Sequence, residues 1–542
     1  MFQSMAELYL VNGELYTQDP RHPHARAVAI RSGRFHAVGD DDQIRDLATP
    51  NAQIIDLDGR LVLPGLTDAH FHCYDWALGL QQLPLVDTVS LADLCHRLAQ
   101  KASQVSRDQW VLGQGWNETR WPVARFPTRQ DLDAAAPAHP VLLWRCDMHL
   151  AVANSMALQR AGVTADTQCP ADGTLDRDGS GELTGVLREL AISLVSDVIP
   201  PPSEDEAVGA LREGFPILHR FGLTGIHDYR IMDGTDGPLA FRAYQRLQDA
   251  DQLPLRLWMN LPGNRLTEAI ALGLRTGFGD GHLRVGHVKL FSDGAQGART
   301  AWMLEPYLEG NDCGIPLTPM DEIAQAVRRA DQAGLAVAIH AIGDRANREL
   351  LSILEQIQRE HGHDARPRPG YVPHRIEHVQ NIQPQDVARL ARLGVVASVQ
   401  PIHATDDMAM IEQTVGERAR NAYVFRDLWD AGVVLALGSD CPVADPNPLW
   451  GIHAAVTRQR RDGTPPGGWY PGQRLTVAEA VWGFTMGPAL ATGRQKEMGS
   501  ICPGKQADLV VLDRDIFAVD PIEIAQTQVV MTVLDGTVVY RR

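Results

Sequence analysis

Eight apolar runs with amphipathic stretches in several of the gaps between them constrain this chain more than any other feature. The runs are LVLPGLTDAHFH (61–72), LTGIHD (223–228), LPLRLWMNL (253–261), RVGHVKLFSDG (284–294), LAVAIHAIGD (335–344), RIEHVQ (375–380), VVASVQP (395–401) and VVLALGSD (433–440). Most are apolar at successive positions rather than alternate ones, as strands buried on both faces require. The gaps carry helix punctuation. TPMDEIAQAVRRADQAG offers Thr318 as N-cap, Pro319 in the first turn and Gly334 as stop, NIQPQDVARLARLG has Pro384 near its start and stops at Gly394, and ARNAYVFRDLWDAG stops at Gly432. Alternating strands and helical crossovers predict the α/β class and a (β/α)8 TIM barrel, with a doubly wound open sheet as the alternative.

One gap is far too long for a βα connection: about 150 residues, 75–222, separate the first run from the second. An inserted subdomain is predicted there, and it is expected to cover the barrel mouth. Near its end Ser203 and Glu206 form a capping-box pattern, while Pro216 predicts a kink or break. The first 63 residues read differently, as short strands joined at Asn-Gly, Ser-Gly and Asp-Gly turns, and the chain's last 40 residues repeat the style. Neither end has enough strands for a stable sheet alone, so the two are expected to combine into one small β-sandwich domain. The predicted division is 1–63 and 489–542 for that domain and 64–488 for the barrel with its insert.

Composition excludes several classes. A length of 542 residues exceeds what one core usually supports, and 44% hydrophobic with 22% charged residues is ordinary for a globular chain. The formal charge of −17 disfavours a phosphate-binding surface, so no nucleic-acid partner is expected. Seven scattered cysteines suit a reducing compartment. With no eighteen-residue apolar run and no basic-then-apolar leader, a cytoplasmic protein without membrane partners is expected.

Barrel enzymes keep their chemistry at the C-terminal ends of the strands. His70 and His72 end the first run, Lys289 lies late in the fourth, His340 ends the fifth, His378 the sixth and Asp440 the eighth. Taken singly each has a plain reading: an incidental or core histidine, or for Asp440 a helix N-cap before PVADP. Together at matching strand ends, they predict a metal centre. Lys289 is the informative member, because an ammonium inside an apolar strand is costly and repels cations. As a carbamate it becomes an anionic ligand able to bridge two metals about 3.5 to 4 Å apart; the alternatives are a snorkelling lysine or a pair with Asp293. Asp440 is placed to accept a proton from water activated by the metal and to deliver it to a leaving nitrogen.

The segments PGLTDAHFH, VKLFSDGAQGARTA, HAIGDRA, RIEHVQ, SVQP and GSDCPV, with GQGWNETRW and HLAVANSMAL in the insert and PGKQADLVVLD near the end, resemble in order those of the amidohydrolase superfamily. The likeness is to its family 3 branch, which includes N-substituted formamide deformylases. The resemblance implies that His70 and His72 bind one metal, that Lys289, N6-carboxylated, bridges two, that His340 and His378 bind the second, and that Asp440 is ligand and general base. It implies one or two divalent ions, zinc first with manganese or iron as alternatives, and a homodimer as the first candidate among assemblies. Trp116, Asn117, His149, Asn154, Arg299, Trp302 and His403 fall in segments expected to reach the mouth and bind a small-molecule substrate, with packing inside the insert as the alternative for the aromatics and an ion-pair role for Arg299.

The expected reaction is hydrolysis of a non-peptide carbon–nitrogen bond of a small molecule. Ester or lactone hydrolysis or ring deamination at the same centre is the alternative, and a non-catalytic barrel scaffold is the alternative of another class.

Overall fold

The computed structural model describes residues 7–50, 52–146, 150–170, 173–229, 237–308, 310–360 and 371–542. Eight parallel strands form one sheet in chain order: β1 (Leu66–Phe71), β2 (Leu223–Asp228), β3 (Arg256–Pro262), β4 (Leu283–Phe291), β5 (Val337–Ala341), β6 (Arg375–His378), β7 (Val396–Val399) and β8 (Leu435–Leu437). The apolar runs form these strands because both faces are covered; β1, β2, β3, β6, β7 and β8 are buried at every position.

The sheet closes on itself, which rules out the open doubly wound arrangement. Phe71 bridges Cys441 in parallel. The amide of His72 donates to the Cys441 carbonyl at 2.8 Å, and that of Asp440 to the His70 carbonyl at 2.7 Å. The Asp68 carboxylate accepts from the amides of His70 and Ser439, each at 3.0 Å. A Cβ at Gly438 would stand 2.5 Å from the His70 nitrogen, so only glycine lets the chain after β8 come this close to β1.

The helices follow the predicted punctuation with three departures. Thr318 does not cap its helix, which is Met320–Gln332 with Pro319 at the N-cap position; Asp321 and Glu322 in the first turn and the buried Ile323, Val327 and Ala330 hold it instead. Pro216 does not break the helix Glu204–Arg220, whose buried Leu211, Phe215 and Leu218 keep an apolar face continuous past it. The single helix expected over 419–432 is split into a 3-10 segment, Gly416–Asn421, and a short helix, Phe425–Asp430. Tyr423 between them has φ 52°, and its amide bonds the distant Gln380 carbonyl at 2.7 Å. Here a tertiary bond overrides local propensity.

The described chain divides into two compact units: Ala77–Ala210, and the residues before and after it. The first is a six-stranded mixed sheet in the order Gly173–Arg177, Leu183–Glu189, Leu150–Ala153, Val141–Arg145, Val111–Trp116, Leu83–Pro84. Helices Leu91–Ala102 and Arg129–Ala135 share an apolar core with Trp116, Val141 and Leu143 of that sheet. In the second unit, Leu61–Pro64 from the N-terminal part pairs with Leu509–Leu512 from the C-terminal part in a six-stranded sheet. A four-stranded sheet of N-terminal strands faces it across one apolar cluster that includes Leu8, Val28, Phe35, Leu509, Val511 and Met531. No helix among the described residues is long and apolar enough to cross a membrane.

Candidate metal centre

His70 and His72 leave the end of β1, and Asp440 stands three residues past β8, where closure of the barrel brings them together. The Nε2 atoms of His70 and His72 lie 3.3 and 3.1 Å from Asp440 Oδ1. The His378 ring is 5.0 Å from that of His70, and ligand atoms of His70, His378 and Asp440 all fall within 4.8 Å of one another. Donors 2.0–2.1 Å from a tetrahedral zinc are about 3.3 Å apart, which the separations of His70 and His72 from Asp440 match, while the wider three-residue group would have to draw in around an ion. Both His378 and Asp440 adopt left-handed backbone, at φ 74° and 59°. Such strain is tolerated best by His, Asp and Asn, and here it releases the side chains from the pleat's alternation.

The imidazoles are also sorted by nitrogen. His70 Nδ1 faces Glu377 Oε2 at 2.7 Å, His378 Nδ1 faces Gln400 Oε1 at 2.8 Å, and His340 Nε2 faces the Gly294 carbonyl at 3.2 Å. Each of these rings is thereby committed at one nitrogen and keeps the other lone pair for a ligand. The Nδ1 of His72 is buried and has no hydrogen-bond partner among the described residues. Burial, with the Lys289 ammonium adding to it, pulls His70 down to about 4 and His340 to about 3, so both are neutral donors at physiological pH.

His340 and Lys289 belong to the same neighbourhood but outside the tight group. The His340 ring is 4.6 Å from that of His378. Lys289 Nζ lies 4.7 Å from the Tyr229 ring centre and 4.8 Å from that of Phe291. Burial pulls its ammonium down to about 8 against the attraction of Glu377 and Asp440. The alternative partner, Asp293, spends its carboxylate elsewhere, accepting from the amides of Trp302, Ile342 and Gly343 at 2.8, 3.0 and 2.7 Å. It is a loop fastener after β4.

The residues expected to bind substrate separate into two groups. Trp116 is fully buried beside Trp121 and Phe126 and donates to the Leu143 carbonyl at 3.2 Å, so it packs the insert's core. Asn117 caps the turn Glu118–Arg120, and Asn154 caps the helix Ser155–Arg160 while bonding Val141 and His139. Both ends of the Asn154 amide, and the Asn117 oxygen, are thereby used within the insert. His149 lies outside the described residues. Arg299 and Trp302 belong to the segment after β4, and His403 to the short helix Pro401–Asp406 after β7. Arg299 is exposed at φ 57°, Trp302 carries the Arg345 guanidinium over its ring at 4.6 Å, and His403 lies parallel to His378 at 6.5 Å with its Nε2 buried and unpartnered among the described residues.

Sequence reasoning passed over Glu377, Arg375, Tyr229 and Gln400. Only the first two left a signal: opposite charges two residues apart in an apolar strand share one face. Burial alone would raise the Glu377 carboxyl, yet Arg375 and His70 hold it well below the usual carboxylate range.

A closed (β/α)8 barrel with histidines and an aspartate gathered at its strand ends defines a metal-dependent hydrolase. The sequence profile of the Amidohydrolase family matches residues 53–540, and the chain belongs to that family, whose members hydrolyse carbon–nitrogen bonds with a metal's help. It is 34% identical over 520 residues, 94% of this chain and 87% of the relative, to Protein LONG AFTER FAR-RED 3 of Arabidopsis thaliana. It is 29% identical to the N-substituted formamide deformylase of Arthrobacter pascens, with 99% of each chain covered. An uncharacterized metal-dependent hydrolase from Pyrococcus furiosus has the same fold at a TM-score of 0.79 and 28% identity, covering 94% of this chain and 100% of that one.

Proposed function

We propose that this enzyme cleaves an amide-type, non-peptide carbon–nitrogen bond of a small molecule, with His70, His72, Lys289, His340, His378 and Asp440 as its metal ligands. The observation that carries the reading is the meeting of His70, His72, His378 and Asp440 with one ring nitrogen of each committed histidine left free. The donor set suits zinc first and manganese or iron second, as one or two ions. When bound, a divalent ion lowers the pKa of water from about 15.7 towards roughly 7 and polarises the scissile carbonyl.

The chain's own residues do the rest. Asp440, a buried carboxylate held well below the usual range by His70 and His72 despite its burial, accepts the water's proton and returns it to the leaving nitrogen. Lys289, carboxylated on Nζ, supplies an anion where its ammonium would repel the cations. His403, Arg299 and Trp302 line the substrate's approach, with His149 a further candidate; His403 offers its unpartnered Nε2 beside His378. The name of the Arthrobacter pascens relative supports an amide substrate.

A panel of N-formyl and N-acyl amines, esters and aminated heterocycles, assayed with zinc- or manganese-loaded protein, tests this. Release of an amine with formate or another carboxylate is expected. Turnover of esters alone, or ammonia release from the heterocycles alone, would replace the amide reading, and elemental analysis finding no bound metal beside an unmodified Lys289 would leave only a scaffold.

A further inference from the structure

Beneath the candidate ligands lies a charge pair that the reaction does not consume. Arg375 and Glu377 are both 0% exposed, so no water competes for them. Each Glu377 oxygen faces two partners. Oε1 takes the Tyr229 hydroxyl at 2.9 Å and stands 2.6 Å from Arg375 Nε; Oε2 faces His70 Nδ1 at 2.7 Å and takes Arg375 Nη2 at 3.2 Å. The same guanidinium donates to the Ala69 carbonyl at 2.8 Å and meets His227 Nδ1 at 2.9 Å. Arg375 thus grips both the carboxylate that faces His70 and the backbone unit that carries it.

A carboxylate can only accept, so His70 must present N–H at Nδ1, and its Nε2 lone pair is left facing Asp440. Rotation of the ring is blocked as well, because the Tyr229 ring lies against it at 4.0 Å and 12°. A buried ion pair is a poor way to gain stability, since apolar residues of the same volume do as well or better. What the pair uniquely supplies is an aimed, electron-rich imidazole.

We propose that Glu377, held by Arg375 and Tyr229, is the positioning residue that fixes the tautomer and direction of His70 and thereby sets the metal affinity of the centre. This rests on His70 being a metal ligand.

The test measures zinc affinity by competition with a chromophoric chelator, together with the visible spectrum of the cobalt-substituted protein and the melting temperature of the metal-free protein. Glu377→Gln is expected to weaken zinc about 10- to 100-fold and to shift the cobalt bands, with Glu377→Asp recovering part of the loss and Tyr229→Phe losing less. The double variant Arg375→Met/Glu377→Leu removes the pair without stranding a charge. It is expected to melt no lower than the parent and still to lose the zinc affinity. Parental affinity and cobalt bands in the folded double variant would overturn the positioning role. His70→Ala separates the two levels: if it leaves zinc affinity intact the ligand assignment fails, whereas loss in His70→Ala without loss in the Glu377 variants sinks only the inference drawn here.

Discussion

Two buried arginines open barrel strands and meet carboxylates, yet their surroundings differ. Arg256, at the start of β3, pairs with Asp508 and Asp535, more than 250 residues further along the chain, and its Nη2 donates to Asp508 at 2.7 Å. Asp508 also accepts from the Asp535 amide at 3.0 Å, so this carboxylate's partners are a guanidinium and backbone. Arg375, at the start of β6, pairs two residues away, and the carboxylate's remaining partners are the side chains of His70 and Tyr229. The first pair fastens the C-terminal segment to the barrel. The second aims a side chain. What else the carboxylate touches, rather than burial or distance, tells a fastening pair from a positioning pair.

The comparison is sharpened most by breaking the fastening pair. Arg256→Met strands Asp508 in the interior and is expected to cost about 3–5 kcal/mol of unfolding free energy in urea titration while leaving zinc affinity unchanged. A change in zinc affinity would erase the distinction between the two pairs. Lys289→Ala is the counterpart at the site: kcat is expected to fall on the order of 100- to 1,000-fold or more, with partial rescue by short-chain carboxylic acids. Its metal-free melting temperature should fall less than that of Arg256→Met, since an ammonium pulled down to about 8 by burial adds little to folding. Unchanged turnover would refute the bridging role.

The smallest effect is one of pH. Opposed by its burial but outweighed by His282 and Arg256, Asp535 is lowered from its usual 3.8 to about 2. A folded-state pKa below the unfolded one means protonation favours the unfolded chain. Its contribution is therefore whole above pH 4 and is lost as pH falls from about 4 towards 2. Asp535→Asn should remove that contribution at neutral pH and flatten the acid-unfolding curve in that window; an unaltered acid limb would remove Asp535 from the fastening group.

Much of the fold was legible because strands buried on both faces must be continuously apolar, and a helix crossing between them must repeat every three to four residues. That is why all eight runs correspond to barrel strands. Where a tertiary bond competed with local pattern, the pattern lost, as at Tyr423, whose amide reaches Gln380 and splits the expected helix. Trp116 shows the same limit from the other side: an aromatic beside polar residues reads alike whether it lines a pocket or a core, and only its burial against Trp121 and Phe126 places it in the core.

The amino-acid sequence by itself determined the barrel and which polar side chains stand at its strand ends, because polar residues at the ends of apolar strands have only one mouth to face. Only the tertiary structure decided which nitrogen of each histidine is free, and that Asp293 serves loop amides rather than Lys289. It alone brought Tyr229 and Glu377 around His70. Those outcomes depend on angles and distances between groups far apart in the chain, and hydrogen-bond direction is a property of the assembled neighbourhood rather than of residue type.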